Sequence, residues 1–323
     1  METNLRGKRV VIAGGRGFLG GILGEALRGR GAHLFSLTRS PRPGKEDEVA
    51  WDARSVGEWK QTLTGALAVV NLVGRSVDCI KNERNCKEII SSRVDATRAI
   101  GMALKEVDDP PCIWVQMSTA HAYGDPPDAL CDENSPLGTG FAPEVASVWE
   151  GEHANWLSAG TRSVVLRTSF VLSRRGGALP TLERLARFGL GGKIGSGRQG
   201  LSWIHEKDIT RLMKRAIADP TMSGMYVATA PTPVSMLDFM QELRRAVRMP
   251  LGLPSPAWMV RIGSMILRND PELALLGRYC ASKRLSEEGF RFSFPGLRSA
   301  FDSLYGPREQ NSSDSKQPVN RPT

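Results

Sequence analysis

The chain is short of the residues that staple or anchor a protein. Its five cysteines (Cys79, Cys86, Cys112, Cys131 and Cys280) are an odd number, scattered, with no Cys-x-x-Cys pair. That pattern argues against a disulfide framework and a structural zinc site, and for a reducing compartment. No metal site is expected. No apolar run is long enough to span a bilayer, and no apolar signal segment opens the chain. The first strand is expected near residue 8, which argues against a transit peptide. The expected location is therefore the cytoplasm, without a membrane partner. Basic residues exceed acidic ones, for a formal net charge of +9, yet no basic block with interleaved aromatics appears. Nucleic acid is thus not an expected partner, and the charge suits small molecules that carry phosphate.

What the chain does have is enough apolar sequence for a large core, 41% of 323 residues. That suits one large domain or one plus a smaller one. The first informative stretch is Val10-Val11-Ile12-Ala13-Gly14-Gly15-Arg16-Gly17-Phe18-Leu19-Gly20. A β-branched run ends in glycines spaced three apart, and an apolar-periodic segment follows. The pattern predicts strand, tight turn, helix. In a dinucleotide site the first glycine turns the chain and the second admits a pyrophosphate. The third lets the helix pack on the strand. The helix N-terminus offers unpaired N–H groups to the phosphates. Gly14, Gly15, Arg16, Gly17, Phe18, Leu19 and Gly20 are all assigned to the cofactor.

A second strand is expected over His33–Thr38 and closes on Arg39-Ser40. An acid here would select NAD by bonding the ribose 2′-hydroxyl. None is present. Arg39, with Arg16, suits the 2′-phosphate of NADP, so NADP(H) is the expected cofactor. A third strand, Val49–Trp51, ends at Asp52, which suits either a contact near the adenine or a turn. A fourth, Leu67–Val73, brings Leu72, Val73 and Gly74 to the cofactor. A long helix is expected over Asn82–Val107. A fifth strand, Cys112–Met117, delivers Ser118, expected at the cofactor, then Thr119 and Tyr123. Polar residues at the C-terminal end of a parallel strand sit where ligands bind. A helix over Pro143–Ser158 and a sixth strand over Ser163–Arg167 complete an α/β reading: a doubly wound, Rossmann-type parallel sheet.

Beyond residue 168 the pattern loosens. Helices are expected over Leu179–Phe188, Val234–Val247, Pro254–Leu267, Pro271–Tyr279 and Leu297–Leu304. The stretch Gly189–Gly200, with six glycines, reads as a flexible loop or a turn-rich segment over the ligand. Residues 306–323 are polar and read as a disordered tail. The expected division is a cofactor domain over 8–250, with its substrate-side lobe starting near 170, and a smaller, mainly helical region over 251–305.

Gly14-x-x-Gly17-x-x-Gly20, Ser118-Thr119-x-x-x-Tyr123-Gly124 and Arg167 together resemble an extended short-chain dehydrogenase/reductase of the nucleoside-diphosphate-sugar epimerase type. Ser92-Arg93, Trp149-Glu150, Gly191-Gly192-x-x-Gly195-Ser196-Gly197 and Trp203-Ile204-His205-x-x-Asp208 narrow the resemblance. They are similar to the atypical branch called "epimerase family protein", an NAD-dependent epimerase/dehydratase with a C-terminal domain of unknown function. Here that domain runs from Leu253-Pro254-Ser255-Pro256 to Phe292-Ser293-Phe294-Pro295-Gly296-Leu297, and the whole resemblance covers residues 8–305.

The resemblance implies proton and hydride chemistry by a Ser/Thr, a Tyr and a Lys. Thr119 fits the first and is the candidate catalytic hydroxyl, with Tyr123 as a second candidate. The Tyr-x-x-x-Lys expected on the Ala142–Gly151 helix is absent. Val145 and Trp149 stand in its register, and neither exchanges a proton. His121 reads as a loop histidine and Glu150 as a solvated or structural carboxylate. Two functions follow: an NADP(H)-dependent epimerase-like or oxidoreductase-like protein acting on an unknown small molecule, or a non-catalytic NADP(H)-binding sensor or scaffold. Oligomeric state cannot be read from these residues.

Overall fold

A computed structural model describes residues 5–126, 128–158 and 160–306. The expected disordered tail from residue 307 onward lies outside the described residues. Seven strands form one parallel sheet. In chain order they are β1 (Arg9–Ala13), β2 (His33–Thr38), β3 (Glu48–Ala50), β4 (Ala68–Asn71), β5 (Ile113–Thr119), β7 (Arg162–Thr168) and β11 (Gly224–Ala228). Their spatial order is β11-β7-β5-β4-β1-β2-β3, so the order reverses between β1 and β4. A crevice at such a reversal, at the carboxyl ends of the strands, is where open α/β sheets bind ligands.

Alternation along the strands covers both faces of the sheet. Val10 and Ile12 pack with Leu23 and Leu27 of α1 (Phe18–Arg28) and with Ile209, Leu212 and Met213 of α5 (Glu206–Ala218). Val11 and Ala13 point the other way, onto Ala96, Ala99 and Ile100 of α2 (Glu83–Glu106). Successive strand side chains face opposite sides, and a parallel sheet covered twice needs both to be apolar. Helix α3 (Phe141–Ala154) lies beside α2.

The substrate-side lobe has its own core, built on Trp203, Phe239, Met240, Leu243 and Phe301. Short pairs frame it: β8 (Phe170–Leu172) with β10 (Trp203–His205), and β9 (Gly200–Leu201) with β12 (Val234–Ser235). A third pair, β6 (Leu130–Cys131) with β13 (Tyr279–Cys280), ties the C-terminal segment to the loop after β5. The helices are α4 (Leu179–Leu185), α6 (Met236–Ala246), α7 (Ala257–Leu267), α8 (Glu272–Leu275), α9 (Lys283–Glu287) and α10 (Leu297–Tyr305). Among the described residues, no helix is long and apolar enough to cross a membrane.

Three expectations differ from this structure. The helix expected over Pro271–Tyr279 shrinks to α8. The backbone is already extended at Leu276, and Gly277 passes so close to Gly200 that an added Cβ would lie 2.1 Å from its carbonyl oxygen. The helix expected over Leu179–Phe188 breaks after Leu185 into a wider turn, where Gly189 takes φ +79°. The glycine-rich stretch 189–200 is packed backbone to backbone. Gly192 N–H donates to Leu253 O (3.1 Å), Gly195 N–H to Ser255 O (2.9 Å) and Ser255 N–H to Lys193 O (2.8 Å). A Cβ on Gly192 would sit 2.4 Å from the Gly252 and Leu253 carbonyl oxygens. These glycines serve close approach rather than mobility.

Two histidines are interior. His205 is 1% exposed; it caps α5 by accepting from Lys207 N–H (3.1 Å) and lies against Phe294. His153 is 2% exposed, edge-on to Trp114. Burial pushes both pKa values down to about 4. The unfolded chain, with imidazoles near 6.5, therefore takes up these protons before the folded one does. Stability from this source is whole above about pH 6.5 and is lost as pH falls toward 4. A thermal melt followed by circular dichroism should show Tm falling over that window. His153→Gln and His205→Asn should each flatten the slope, and an unchanged slope in both would contradict the assignment.

Candidate functional site

Two cavities of similar size open at the carboxyl ends of the central strands. The first, of about 840 Å³, lies at the β1/β4 reversal. Gly14 turns the chain at φ +80°, and a Cβ there would lie 3.2 Å from the Leu72 carbonyl. A Cβ on Gly20 would sit 2.5 Å from Gly14 O, so a larger residue would push α1 off the turn. Gly17 caps α1, and no side chain bonds its first turn, which leaves that end open to an anion.

Gly14, Arg16, Gly17, Arg39, Asp52, Leu72, Val73 and Gly74 all line this cavity. The other residues assigned to the cofactor do not. Gly15 lies against the Ser36 side chain, the Phe18 ring meets Gly176, and Leu19 packs on the sheet core. Gly20 sits beneath the turn. Ser118 is turned away, its hydroxyl donating to Glu150 Oε1 (2.5 Å). Asp52 is a turn former on the cavity wall, accepting from Arg54 N–H, Ser55 N–H and the Ser55 hydroxyl. The Ser55 hydroxyl, with those N–H groups, lowers its pKa to about 2.

The second cavity, of about 830 Å³, opens past Thr119. Thr119 ends β5, and its hydroxyl accepts from His121 N–H (3.1 Å), starting a short turn over Ala120–Tyr123. Thr119, His121 and Val145 line this cavity. Burial, with the charges of Arg278 and Lys81, drives the His121 pKa down to about 3, so the ring is neutral near pH 7.

Tyr123, the second candidate for the catalytic hydroxyl, is not on that wall. It is 3% exposed, and its hydroxyl accepts from Arg167 Nη1 (3.1 Å). Burial raises its pKa to about 12 against the opposing pull of Arg167. The same guanidinium is held twice by Glu150, Nε to Oε1 (2.9 Å) and Nη2 to Oε2 (2.7 Å). Ser118, Glu150, Arg167 and Tyr123 thus form a closed structural cluster behind the cavity. One Tyr-x-x-x-Lys does occur in the chain, Tyr279 to Lys283, but on β13 and the start of α9. The Tyr279 hydroxyl donates to Arg198 O (2.8 Å), and neither residue lines the cavity.

Between the two cavities runs a chain of buried polar contacts. The Asn71 amide donates to Thr97 Oγ1 and Gln116 Oε1 (3.1 Å each), and its carbonyl accepts from Val73 N–H (3.1 Å). The Trp149 indole donates to the same Thr97 oxygen (3.1 Å). Arg93 lies over the Trp149 ring, 5.1 Å from its centroid, with Nη1 donating to Ile89 O (2.9 Å). A Cβ on Gly74 would come within 3.0 Å of that guanidinium. Burial lowers the Arg93 pKa to about 10. Sequence reasoning assigned Arg93 no role. The available signal was a guanidinium on the apolar face of α2, beside Ile89 and Val94. Asn71→Ala should lose about 2–3 kcal/mol by urea denaturation, because it leaves buried partners unsatisfied. A loss below about 0.5 kcal/mol would mean water replaces the amide.

Residues 10–227 match the NAD dependent epimerase/dehydratase family, and residues 255–304 match a domain of unknown function, DUF1731. The mouse Epimerase family protein SDR39U1 is 32% identical over 301 residues, covering 92% of this chain and 99% of the mouse protein. Epimerase family protein YfhF of Bacillus subtilis is 30% identical, over 93% of this chain and 99% of its own. The crystal structure of human SDR39U1 (isoform 2) with NADPH superposes with a TM-score of 0.83 at 30% identity, over 92% of this chain and 99% of the human one. The UDP-N-acetylglucosamine 4-epimerase of Bacillus cereus, at 17% identity and a TM-score of 0.73, shares the fold. With its glycine turn, its sheet order and these matches over most of its length, the chain belongs to the NAD dependent epimerase/dehydratase family.

Proposed function

We propose that this protein binds NADP(H) at the β1/β4 reversal and holds a small-molecule substrate beside Thr119, as an epimerase-like or oxidoreductase-like protein of the cytoplasm. The observation that carries the cofactor reading is the state of charge on the first cavity's wall. Its carboxylates are engaged: Asp52 by Ser55, Glu88 by Arg75 (2.8 Å) and Arg84, and Asp95 by Arg54 (3.7 Å) and Arg98 (3.9 Å). Among the described residues, exposed Arg39 bonds no side chain and Arg16 bonds the Ser40 carbonyl, with the charge of Glu48 nearby. Two guanidiniums with no carboxylate bonded to them suit a 2′-phosphate better than a bare ribose hydroxyl. The open N-terminus of α1 would take the pyrophosphate, and the Leu72–Gly74 backbone would pass beside the sugar. The NADPH-bound human relative supports this assignment.

Bound NADP(H) would supply or accept a hydride. The chain's own part is to hold a substrate oxygen at Thr119, in a cavity walled by Val145 in place of the usual tyrosine. Proton transfer there cannot use Tyr123, whose phenol is buried, nor an imidazolium at His121. That observation favours a second reading, a non-catalytic NADP(H) binder, as strongly as the cavity favours the first.

Quenching of intrinsic tryptophan fluorescence should show NADPH binding about tenfold or more tightly than NADH, the scale of a charge-assisted bond pair. Arg16→Ala and Arg39→Ala should each erode that preference. Equal affinity for the two cofactors would sink the assignment. Oxidation of NADPH with a panel of ketones, quinones and sugar nucleotides separates the two functions, and Thr119→Val should abolish any turnover while leaving NADPH affinity intact.

A further inference from the structure

Among the described residues, the second cavity has three guanidiniums that no carboxylate bonds, and two of them, Arg93 and Arg278, are at least partly buried. Four cationic side chains line it: Lys81, Arg93, Arg261 and Arg278. Lys81 is paired with Asp270 (2.8 Å), and Arg261 is exposed at the rim. Among the described residues, Arg93 has a backbone carbonyl and the Trp149 ring as partners. Arg278 is 9% exposed, and its one hydrogen bond runs from Nε to the Gly124 carbonyl (2.7 Å). The Asp125 carboxylate beside it is bonded by Gly277 N–H (2.5 Å). Arg278 lines both this cavity and a small adjoining recess, and His121 lines the same two.

A guanidinium taken out of water is costly unless a counter-ion bonds it. The Asp125 carboxylate contributes its charge but, among the described residues, no hydrogen bond to Arg278. Burial depresses the Arg278 pKa, and nothing near it restores it fully. The neighbouring imidazole is neutral and adds no competing positive charge. The rest of the wall is mainly apolar: Val77, Ile80, Phe141, Pro143, Val145 and Leu276. Thr139, Asn269 and Glu272 add polar side chains to this lining.

We infer that the substrate of this cavity is an amphipathic anion, a carboxylate or phosphate on a mainly apolar body, whose charged end is received by Arg278. The inference rests on the proposal that substrate binds beside Thr119, and it names the class of that substrate. Arg93 lies against Gly74, at the boundary with the cofactor cavity. Arg278, from the C-terminal segment, belongs to the substrate side. The apolar body lies along the Val77, Ile80 and Phe141 wall, with Thr119 within the same cavity.

Isothermal titration of the full chain, with and without saturating NADPH, would use octanoate, octyl phosphate, octanamide, octanol and UDP-glucose. Either anion should bind at least tenfold more tightly than octanamide or octanol, and the stronger of the two identifies carboxylate or phosphate as the head. Arg278→Gln should remove most of that advantage while leaving octanol binding and NADPH binding unchanged, and Arg278→Lys should restore part of it. These readouts separate loss of the anion site from misfolding. Equal affinity for octanoate, octyl phosphate and octanamide, or an unchanged anion preference in Arg278→Gln, would overturn the inference. Tighter Arg278-dependent binding of UDP-glucose than of either octyl anion would also overturn it, in favour of a nucleotide. Failure of NADPH to bind would count against the cofactor proposal alone, since the anion titrations are read without it.

Discussion

The Asn71 side chain is the constraint on which the site depends. It sits at the carboxyl end of β4, wholly buried, at the point where the strand order reverses. Its amide reaches sideways to Gln116 on the next strand and outward to Thr97 on α2. Its carbonyl oxygen holds Val73 N–H and so sets the path of the Leu72–Gly74 backbone. A buried amide has no water to fall back on, so its partners specify one arrangement of strand, helix and loop. That loop in turn is one wall of the cofactor cavity. Thr97 passes the constraint on to Trp149, and the indole supports Arg93.

This arrangement changes the meaning of the missing tyrosine and lysine. Trp149 cannot carry a charge, yet it is not a gap in the site. It fills the space with a ring that bonds Thr97 on its edge and carries Arg93 on its face, a geometry in which a cation is favoured. Positive charge therefore reaches the boundary between the two cavities from α2 rather than from α3. What is not replaced is a proton donor of suitable pKa. Val145 presents methyl groups to the cavity, the Tyr123 hydroxyl is spent on Arg167, and the imidazole of His121 is neutral. The site is furnished to bind and orient, with Thr119 as its hydroxyl.

The C-terminal segment completes the cleft from outside the sheet. Its contact is made by β13 beside β6 and by the Asp208 carboxylate, which takes the N–H groups of Ser293 (2.8 Å) and Phe294 (2.9 Å). Asp208 is fully buried at the start of α5, and His205 caps the same helix. The same carboxylate also pins a segment more than eighty positions away.

Much of this was legible in the chain itself. The parallel sheet, the glycine turn, Arg16 and Arg39 at the cofactor cavity, and the loss of the Tyr-x-x-x-Lys pair follow from local patterns. Each depends on residues close in sequence: a period-2 apolar run, glycines three apart, a register on one helix. What local pattern could not decide is where a polar side chain points once distant elements pack. Ser118 and Thr119 are neighbours on one strand, and the strand's alternation sends one inward to Glu150 and the other to the cavity. Tyr123 follows the turn inward to Arg167. The glycines of 189–200 read as a flexible loop or a turn-rich segment, and only the 252–255 backbone laid against them decides for packed turns. Arg278 looks like any surface arginine until Gly277 and the β6 pairing bury it over the cavity. Those outcomes rest on contacts between residues far apart in the chain, and only the tertiary structure determines them.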